Sequence, residues 1–356
     1  MSNIYNGNIK FGVFGQSHSE EIGVFIEGLP AGIEINTAKL QEFMNRRKPG
    51  QWEYTTSRKE EDTVQFVSGL VDGITCGAPL LGKIKNTNIR SKDYDKIKKI
   101  PRPGHSDYTA HIKTKGYNDI RGGGEYSGRL TAPICVVGGI LIELLKEKGI
   151  EIKARIKSIK NIVDYSILEN DSEIAHEFAV IDDSLKDKMK EEILIAKNNL
   201  DSVGGIVECG IFNVPAGLGA PMFDGVENII SRLAFGIPAI KGIEFGEGFS
   251  LTTMYGSESN DEFVVEDNKI KTITNNMGGI LGGITSSMPI IFRVAIKPTP
   301  SIAKKQKSVN IETMENAILE IKGRHDPCIV PRVVPVIESI AAIGIYDLMI
   351  KEEKWI

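Results

Sequence analysis

The chain lacks most of what marks secreted, membrane-spanning or nucleic-acid-binding proteins. Its four cysteines, Cys76, Cys135, Cys209 and Cys328, stand far apart among 356 residues. That spacing excludes a disulfide framework and the paired cysteines of structural zinc or redox sites. Free thiols in a reducing compartment are expected, and with them a cytoplasmic location. Long hydrophobic runs are missing too: the longest, Ala132 to Leu145, is too short for a membrane span and is interrupted by Glu143. Met1 to Lys10 carry no basic start followed by an apolar stretch, so no secretory signal is read there. The formal net charge of −4 argues against a general polyanion binder, whose affinity rests on a net basic face. Clusters of arginine in such a chain must serve something small.

What is present in excess is glycine. The 37 glycines fall in bunches, which mark places where the backbone turns sharply or approaches a ligand. The length and a hydrophobic content of 41% suffice for one large core, so residues 1–356 are read as a single domain. Two glycine-led apolar strands, from Gly23 and from Gly205, lead into Leu29-Pro30-Ala31-Gly32 and Val214-Pro215-Ala216-Gly217. The repeat suits either a shared turn or a duplicated half.

Apolar spacing predicts a short helix around Leu40, Phe43 and Met44 that stops before Pro49-Gly50. Thr131 is expected to cap a central apolar helix running to Gly149, with Gly138-Gly139 allowing a close backbone neighbour. Further helices are predicted from Phe223 to Gly236 and from Asn310 to Lys322, and strands near Val64–Val67, Gly205–Ile211 and Ile290–Ile296. Between residues 151 and 200 the composition turns to Lys, Glu, Asp and Ile, which reads as a peripheral charged segment with His176 on its surface. The chain is a mixed α and β protein on this pattern.

Gly77 to Lys83 has the glycine and lysine spacing of a nucleotide phosphate loop, but Ile84 stands where a magnesium-binding Ser or Thr is needed. Arg121-Gly122-Gly123-Gly124 is different. Consecutive glycines let backbone N–H groups approach an anion, and Ser127, Arg129 and a helix start follow at once. Two other turns pair cations with histidines and acids, Arg102-Pro103-Gly104-His105-Ser106-Asp107 and Arg324-His325-Asp326-Pro327, and Ser17-His18 after Gly15 places a histidine in a similar small-residue turn. Arg46-Arg47-Lys48-Pro49-Gly50 adds a further cationic turn. Together they describe a guanidinium-rich site with two candidate acids and one base, suited to a carboxylated phosphate ester from which phosphate is eliminated. The competing readings are a nucleotide-dependent enzyme using Gly77 to Lys83, and a non-catalytic anion binder in which the histidines are structural.

These turns carry a resemblance over nearly the whole chain. Phe14 to His18, Arg46 to Gly50, Arg102 to Tyr108, Arg121 to Gly124, Gly278 to Ile284, Lys297 to Thr299 and Gly323 to Cys328 are similar, in order, to the motifs of the chorismate synthase family. The resemblance implies an α+β fold, a β-α-β sandwich of two antiparallel four-stranded sheets enclosing helices, with internal pseudosymmetry and usually as a homotetramer. It implies conversion of 5-enolpyruvylshikimate 3-phosphate to chorismate and phosphate with reduced FMN. An external flavin reductase, fed by NADPH, is expected to supply the reduced cofactor, since no reductase domain is visible. By motif, His18 corresponds to the proton donor for the leaving phosphate, His105 to the histidine facing reduced flavin, and Asp326, with Ser17 and Ser127, to the proton relay. Arg47, Arg102, Arg129 and Arg324 correspond to the substrate-facing arginines. The flavin cradle corresponds to Arg47, Glu125, Tyr126, Ser127, Pro238, Ala239, Gly282, Lys297, Pro298, Thr299, Pro300, Ser301 and Arg324. Departures fall at Glu125 and Tyr126, where arginine and serine are common, and at Leu130, Glu53 and Pro300. An anionic Glu125 is expected to contact the cofactor through its backbone or to point away, and Arg58 to compensate for Glu53.

Overall fold

The computed structural model describes residues 3–56, 58–88, 98–321, 323 and 325–352. Its first half runs β1 (Ile4–Asn6), β2 (Lys10–Gly15), β3 (Glu21–Glu27), α1 (Thr37–Arg47), β4 (Val64–Ser68), a small hairpin β5 and β6 (Leu70–Val71, Ile74–Thr75) and β7 (Leu80–Lys85). A short helix α2 (Asp107–Thr114) and the long α3 (Thr131–Glu147) close it. The second half runs β8 (Glu151–Ile159), β9 (Ile162–Val163), α4 (Lys186–Asn198), β10 (Gly205–Phe212), α5 (Val226–Phe235) and β11 (Ile240–Phe245). There follow α6 (Gly256–Ser259), hairpins β12–β13 (Phe263–Glu266, Lys269–Thr272) and β14–β15 (Ile280–Leu281, Ile284–Thr285), β16 (Ile290–Ile296), hairpin β17–β18 (Gln306–Asn310, Glu315–Leu319) and α7 (Val330–Lys351).

Two antiparallel sheets result, ordered β1-β2-β3-β7-β4 and β11-β16-β10-β8-β9. Each is the expected four-stranded sheet widened by one short edge strand, β1 or β9. Inward residues of every long strand are apolar, as period-two burial demands: Ile22, Val24 and Ile26 on β3, Val207, Cys209 and Ile211 on β10, Phe292 and Val294 on β16. These faces bury α3, α7, α1 and α5 in one core. Helix α3 crosses α7 at Gly138, where an added Cβ would lie 2.1 Å from Ser339 Cβ, and a Cβ at Gly139 would lie 2.7 Å from Leu40 Cδ1 of α1. The glycine pair lets two helices approach on adjoining faces, as its position predicts. Two helical stretches, Gly128–Glu147 and Val330–Lys351, are apolar and long enough to cross a membrane, but most of each is buried inside the fold.

The Pro-Ala-Gly repeat is a true structural repeat. Thr75 Oγ1 donates to Pro30 O at 2.6 Å and accepts from Ile33 N at 2.9 Å. Thr285 Oγ1 donates to Pro215 O at 2.6 Å and accepts from Leu218 N at 2.9 Å. Each threonine ends the small hairpin that precedes the last sheet strand of its half, β7 or β16.

Three expectations need correction. The described part of the expected Asn310 to Lys322 helix, residues 310–321, is no helix: Asn310 Oδ1 accepts from Glu312 N and Thr313 N, and Met314 takes a φ of 58°, so the side chain and a left-handed residue make a turn between β17 and β18. Leu319 and Ile321 then bury as a separate small cluster beside Ile100 and Ile120. Residues 151–200 do not all lie at the periphery, because β8 is an internal strand and Arg155 on it is fully buried between Glu208 and Asp164. Phe223 belongs to a 3-10 turn ahead of α5 and is exposed.

Candidate active site

The site grows from the loops at one end of this sandwich. Gly122, Gly123 and Gly124 all take positive φ, at 62°, 87° and 55°, which only glycine adopts in succession at low cost. The turn is also closely covered. A Cβ on Gly122 would lie 2.6 Å from Ser17 Oγ and 2.7 Å from His18 Nε2, and one on Gly123 would lie 3.2 Å from His105 Nε2. One glycine turn therefore touches two histidines from distant segments, His18 buried and His105 half-buried. Ser17 N donates to Gly124 O at 3.1 Å, and the Ser127 hydroxyl donates to Ser17 Oγ at 3.2 Å, so Ser17, His18 and Ser127 are brought together at this turn. The capping oxygen ahead of α3 comes from Ser127, which accepts from Arg129 N, and not from Thr131, whose hydroxyl donates back to Gly128 O.

His105 is held from behind. Its Nδ1 lies 2.7 Å from Asp107 Oδ1, which requires the proton on that nitrogen and leaves Nε2 toward the glycine turn. Burial pushes the imidazole pKa below its ordinary value, against the contrary pull of Asp107. Burial alone would raise Asp107, but hydrogen bonds from Arg102 and His105 hold it well below the usual carboxylate range. Arg102, expected to face substrate, is instead buried on this support: it gives Nε and Nη2 to Asp107 and Nη1 to Ser301 Oγ at 3.0 Å. Lys297 Nζ donates to Gly104 O at 2.7 Å, and Lys297 N to Ala239 O at 3.0 Å. The turns at 102–105, 238–239 and 297–301 are thereby tied together beside His105. Pro298 and Pro300 stiffen the last of them.

A cavity of about 210 Å³ adjoins this cradle, lined among others by Arg47, Arg58, Ser127, Arg129, Asp326 and Arg332. Arg47 sits on the last turn of α1, almost fully buried, and burial with Arg332 and Arg129 nearby lowers its pKa to about 10 despite Asp62. Asp326 Oδ2 accepts from Arg332 Nη1 at 2.6 Å, while its buried Oδ1 has no hydrogen-bond partner among the described residues. Burial raises the Asp326 pKa above its ordinary value against that arginine, a state suited to taking and releasing a proton. Arg332, Asp62 and Thr56 were not foreseen from the sequence. Arg58 does line the cavity, held by Glu60 Oε1 at 2.7 Å, whereas Glu53 is exposed.

Not every expected residue converges. Gly282 lies at the far end of α5: the carbonyl of Gly283 accepts from Val226 N at its start, while Pro238 follows its end. Ten helical residues separate them by about 15 Å. Arg324 lies outside the described residues. Glu125 and Tyr126 continue the glycine turn, but the Glu125 side chain turns into a second cavity of about 240 Å³ with Asn3, Tyr5, Phe11, Leu130 and Arg232. The anionic departure thus faces away from the arginine-lined cavity, as expected for one of its two options.

A cleft with these guanidinium groups, two histidines on one glycine turn and one half-paired carboxylate defines an enzyme that handles a small polyanion. Comparison with known proteins narrows the class. Residues 9–350 match the chorismate synthase family. The chorismate synthases of Methanocaldococcus jannaschii and Methanobrevibacter smithii are 44% and 45% identical to this chain, over 99% of it and 97% of each relative. A solved crystal structure of chorismate synthase matches with a TM-score of 0.75 and 26% identity, covering 97% of this chain and 92% of that one. The chain belongs to the chorismate synthase family. It is a carbon–oxygen lyase of aromatic amino acid biosynthesis, forming chorismate from 5-enolpyruvylshikimate 3-phosphate by loss of phosphate and a ring proton. Enzymes of this family need reduced flavin.

Proposed function

We propose that the cavity lined by Arg47, Arg129 and Arg332 takes the substrate and that the adjoining turns hold reduced FMN. The observation carrying this reading is the Gly122–Gly124 turn, against which both His18 and His105 rest. The residues fit such a cofactor. Lys297 and Arg102 tie Ala239 and the 102–104 turn to the 297–301 turn, Ser127 and Pro238 line the adjoining cavity, and Thr299 Oγ1 is buried with no partner among the described residues. Lys297 would neutralise charge on the flavin phosphate or reduced ring.

When bound, reduced FMN supplies transient electron density that helps phosphate leave, with no net redox change. The chain supplies position and protons. Arg47, Arg129 and, by resemblance, Arg324 bind the substrate anions and offset charge on the departing phosphate. His18 is the donor to the phosphate oxygen, fixed by the glycine turn. His105 faces the cradle with Nε2, its tautomer set by Asp107. Asp326 Oδ1 is the final acceptor for the ring proton, and the paired hydroxyls of Ser17 and Ser127 form the relay, Ser127 lining the same cavity as Asp326. The half-paired carboxylate supports that assignment.

We further infer a homotetramer in the cytoplasm, served by an outside flavin reductase that draws on NADPH. Four free cysteines support a reducing compartment. The exposed apolar side chains of the β12–β13 hairpin, Phe263, Val265 and Ile270, support burial against another copy. So does Gly282, which could join a flavin site only if a second copy carried it there. Under anaerobic conditions, purified protein given 5-enolpyruvylshikimate 3-phosphate and chemically reduced FMN should release phosphate and chorismate in equal amounts. Folded protein that turns over nothing sinks the reading, and turnover with oxidised FMN and NADPH alone removes the outside reductase.

A further inference from the structure

We propose that Asp62 is a positioning residue that sets the two substrate-side arginines, Arg47 and Arg129, at a fixed spacing from behind the cavity. The proposal rests on the reading that these arginines bind substrate. Asp62 does not line the cavity, and its side chain has no exposed surface. Its carboxylate is divided between two guanidinium groups: Oδ2 accepts from Arg47 Nη1 at 2.5 Å, and Oδ1 accepts from Arg129 Nη1. The arginines come from unconnected elements, the end of α1 and the turn before α3. Without an anion between them, two buried cations would repel, and each would lose the partner that makes its burial tolerable.

The remaining contacts show which donors are left over. Arg47 Nε donates to Thr131 Oγ1 at 3.1 Å and Arg129 Nε to Asn86 Oδ1 at 2.9 Å, so Nε and Nη1 of both groups are committed to protein. Among the described residues the Nη2 nitrogens make only long contacts, 3.4 Å to Gly128 O and 3.5 Å to Lys85 O. Those are the ends free to bind an anion, and one carboxylate orients both. Asp62 itself takes a φ of 52°, an unfavourable conformation for a residue with a Cβ, at the point where the 48–63 loop returns to β4. The loop is pinned there by the same carboxylate. Arg332 extends the arrangement, since its Nε donates to the Arg47 carbonyl at 3.0 Å.

Asp62→Asn tests this with nearly unchanged shape. It keeps one carbonyl acceptor and sets an NH₂ donor against the other guanidinium. Inorganic phosphate is the probe, its binding measured by calorimetry on the flavin-free full chain, beside KM and kcat from the anaerobic assay. Both the phosphate Kd and the substrate KM should rise on the order of 30-fold, with kcat falling by less than about threefold. In the Asp62→Asn/Arg129→Lys double variant the losses should not add, because both substitutions break one unit. A folded Asp62→Asn protein with phosphate Kd and KM within about twofold of wild type, or with kcat lost and phosphate binding kept, overturns the proposal. If Asp62→Asn does not fold, Arg129→Lys alone decides: it keeps the charge but loses the fork, so an unchanged phosphate Kd overturns the proposal and a raised one supports it. Wild-type protein that binds phosphate yet makes no chorismate counts against the functional reading and leaves this one standing.

Discussion

The two halves of the chain share a scaffold and differ in almost everything attached to it. Both carry a strand pair, a helix, a further strand, a small hairpin closed by a threonine, a last sheet strand and a long core helix, and Thr75 and Thr285 make the same two hydrogen bonds. The loops diverge. Between β2 and β3 the first half has a tight turn with Ser17 and His18, whereas between β8 and β10 the second has the charged segment with α4 and His176. After α1 comes the long 48–63 loop with Arg58, Glu60 and Asp62; after α5 there is only Gly236 to Ala239. The outer sheet faces differ as well. On the first, Phe14 and Phe25 lie over Gly23 and Gly12. On the second, Arg155, Glu208, Arg293 and Glu244 form a ladder of alternating charge across four strands. The scaffold is kept by its hydrogen bonds and core, and chemistry resides in the loops it leaves free to change.

That division of labour can be broken experimentally. The largest expected effect is on His18→Gln, which should cut turnover by about 10²–10⁴-fold while the protein stays folded, against His176→Gln in the corresponding connection, which should leave turnover as it was. Equal loss in both, measured in the same anaerobic assay, would erase the distinction between the halves. Next come Thr75→Val and Thr285→Val. Each unpairs a part-buried carbonyl and an amide, so each should cost about 1–3 kcal/mol in denaturant unfolding, by similar amounts. A large cost in one and none in the other would mean that the repeat is shape without shared energetics. The smallest effect is a shift in pH dependence. Burial lowers the His105 pKa while Asp107 raises it, so Asp107→Asn should lower it further. The protonated ring is then lost at lower pH, and the alkaline limb of kcat/KM should move toward acid; a move toward alkali would contradict the assignment.

Much of this was legible in the sequence because it depends on short-range rules. The glycine turn, α1 and its stop, the paired glycines of α3, and the strands at 205–212 and 290–296 follow from local spacing. Asp62 was hidden because Glu60-Glu61-Asp62 reads as an ordinary solvated acidic run, and only tertiary contact reveals that Glu60 and Asp62 are buried. Arg332 carried a faint signal as a lone cation opening an otherwise apolar helix. Motif order reads Arg102 as a ligand-facing group and does not show that it also holds Asp107 and Ser301. The hairpin at 306–319 was misread because Ile311, Met314, Ile318 and Ile321 keep near-helical spacing, while the deciding feature, the Asn310 side chain bonding its own turn, is geometric.

The central claim is that the Gly122–Gly124 turn organises the catalytic site between His18 and His105. Its most direct test is a crystal structure with oxidised FMN and 5-enolpyruvylshikimate 3-phosphate. The account predicts flavin density against the glycine turn, in contact with His105 and Lys297, and substrate phosphate on Arg47 and Arg129. Flavin in the other cavity, against Tyr5, Phe11 and Arg232, with the arginine-lined one empty, would contradict it.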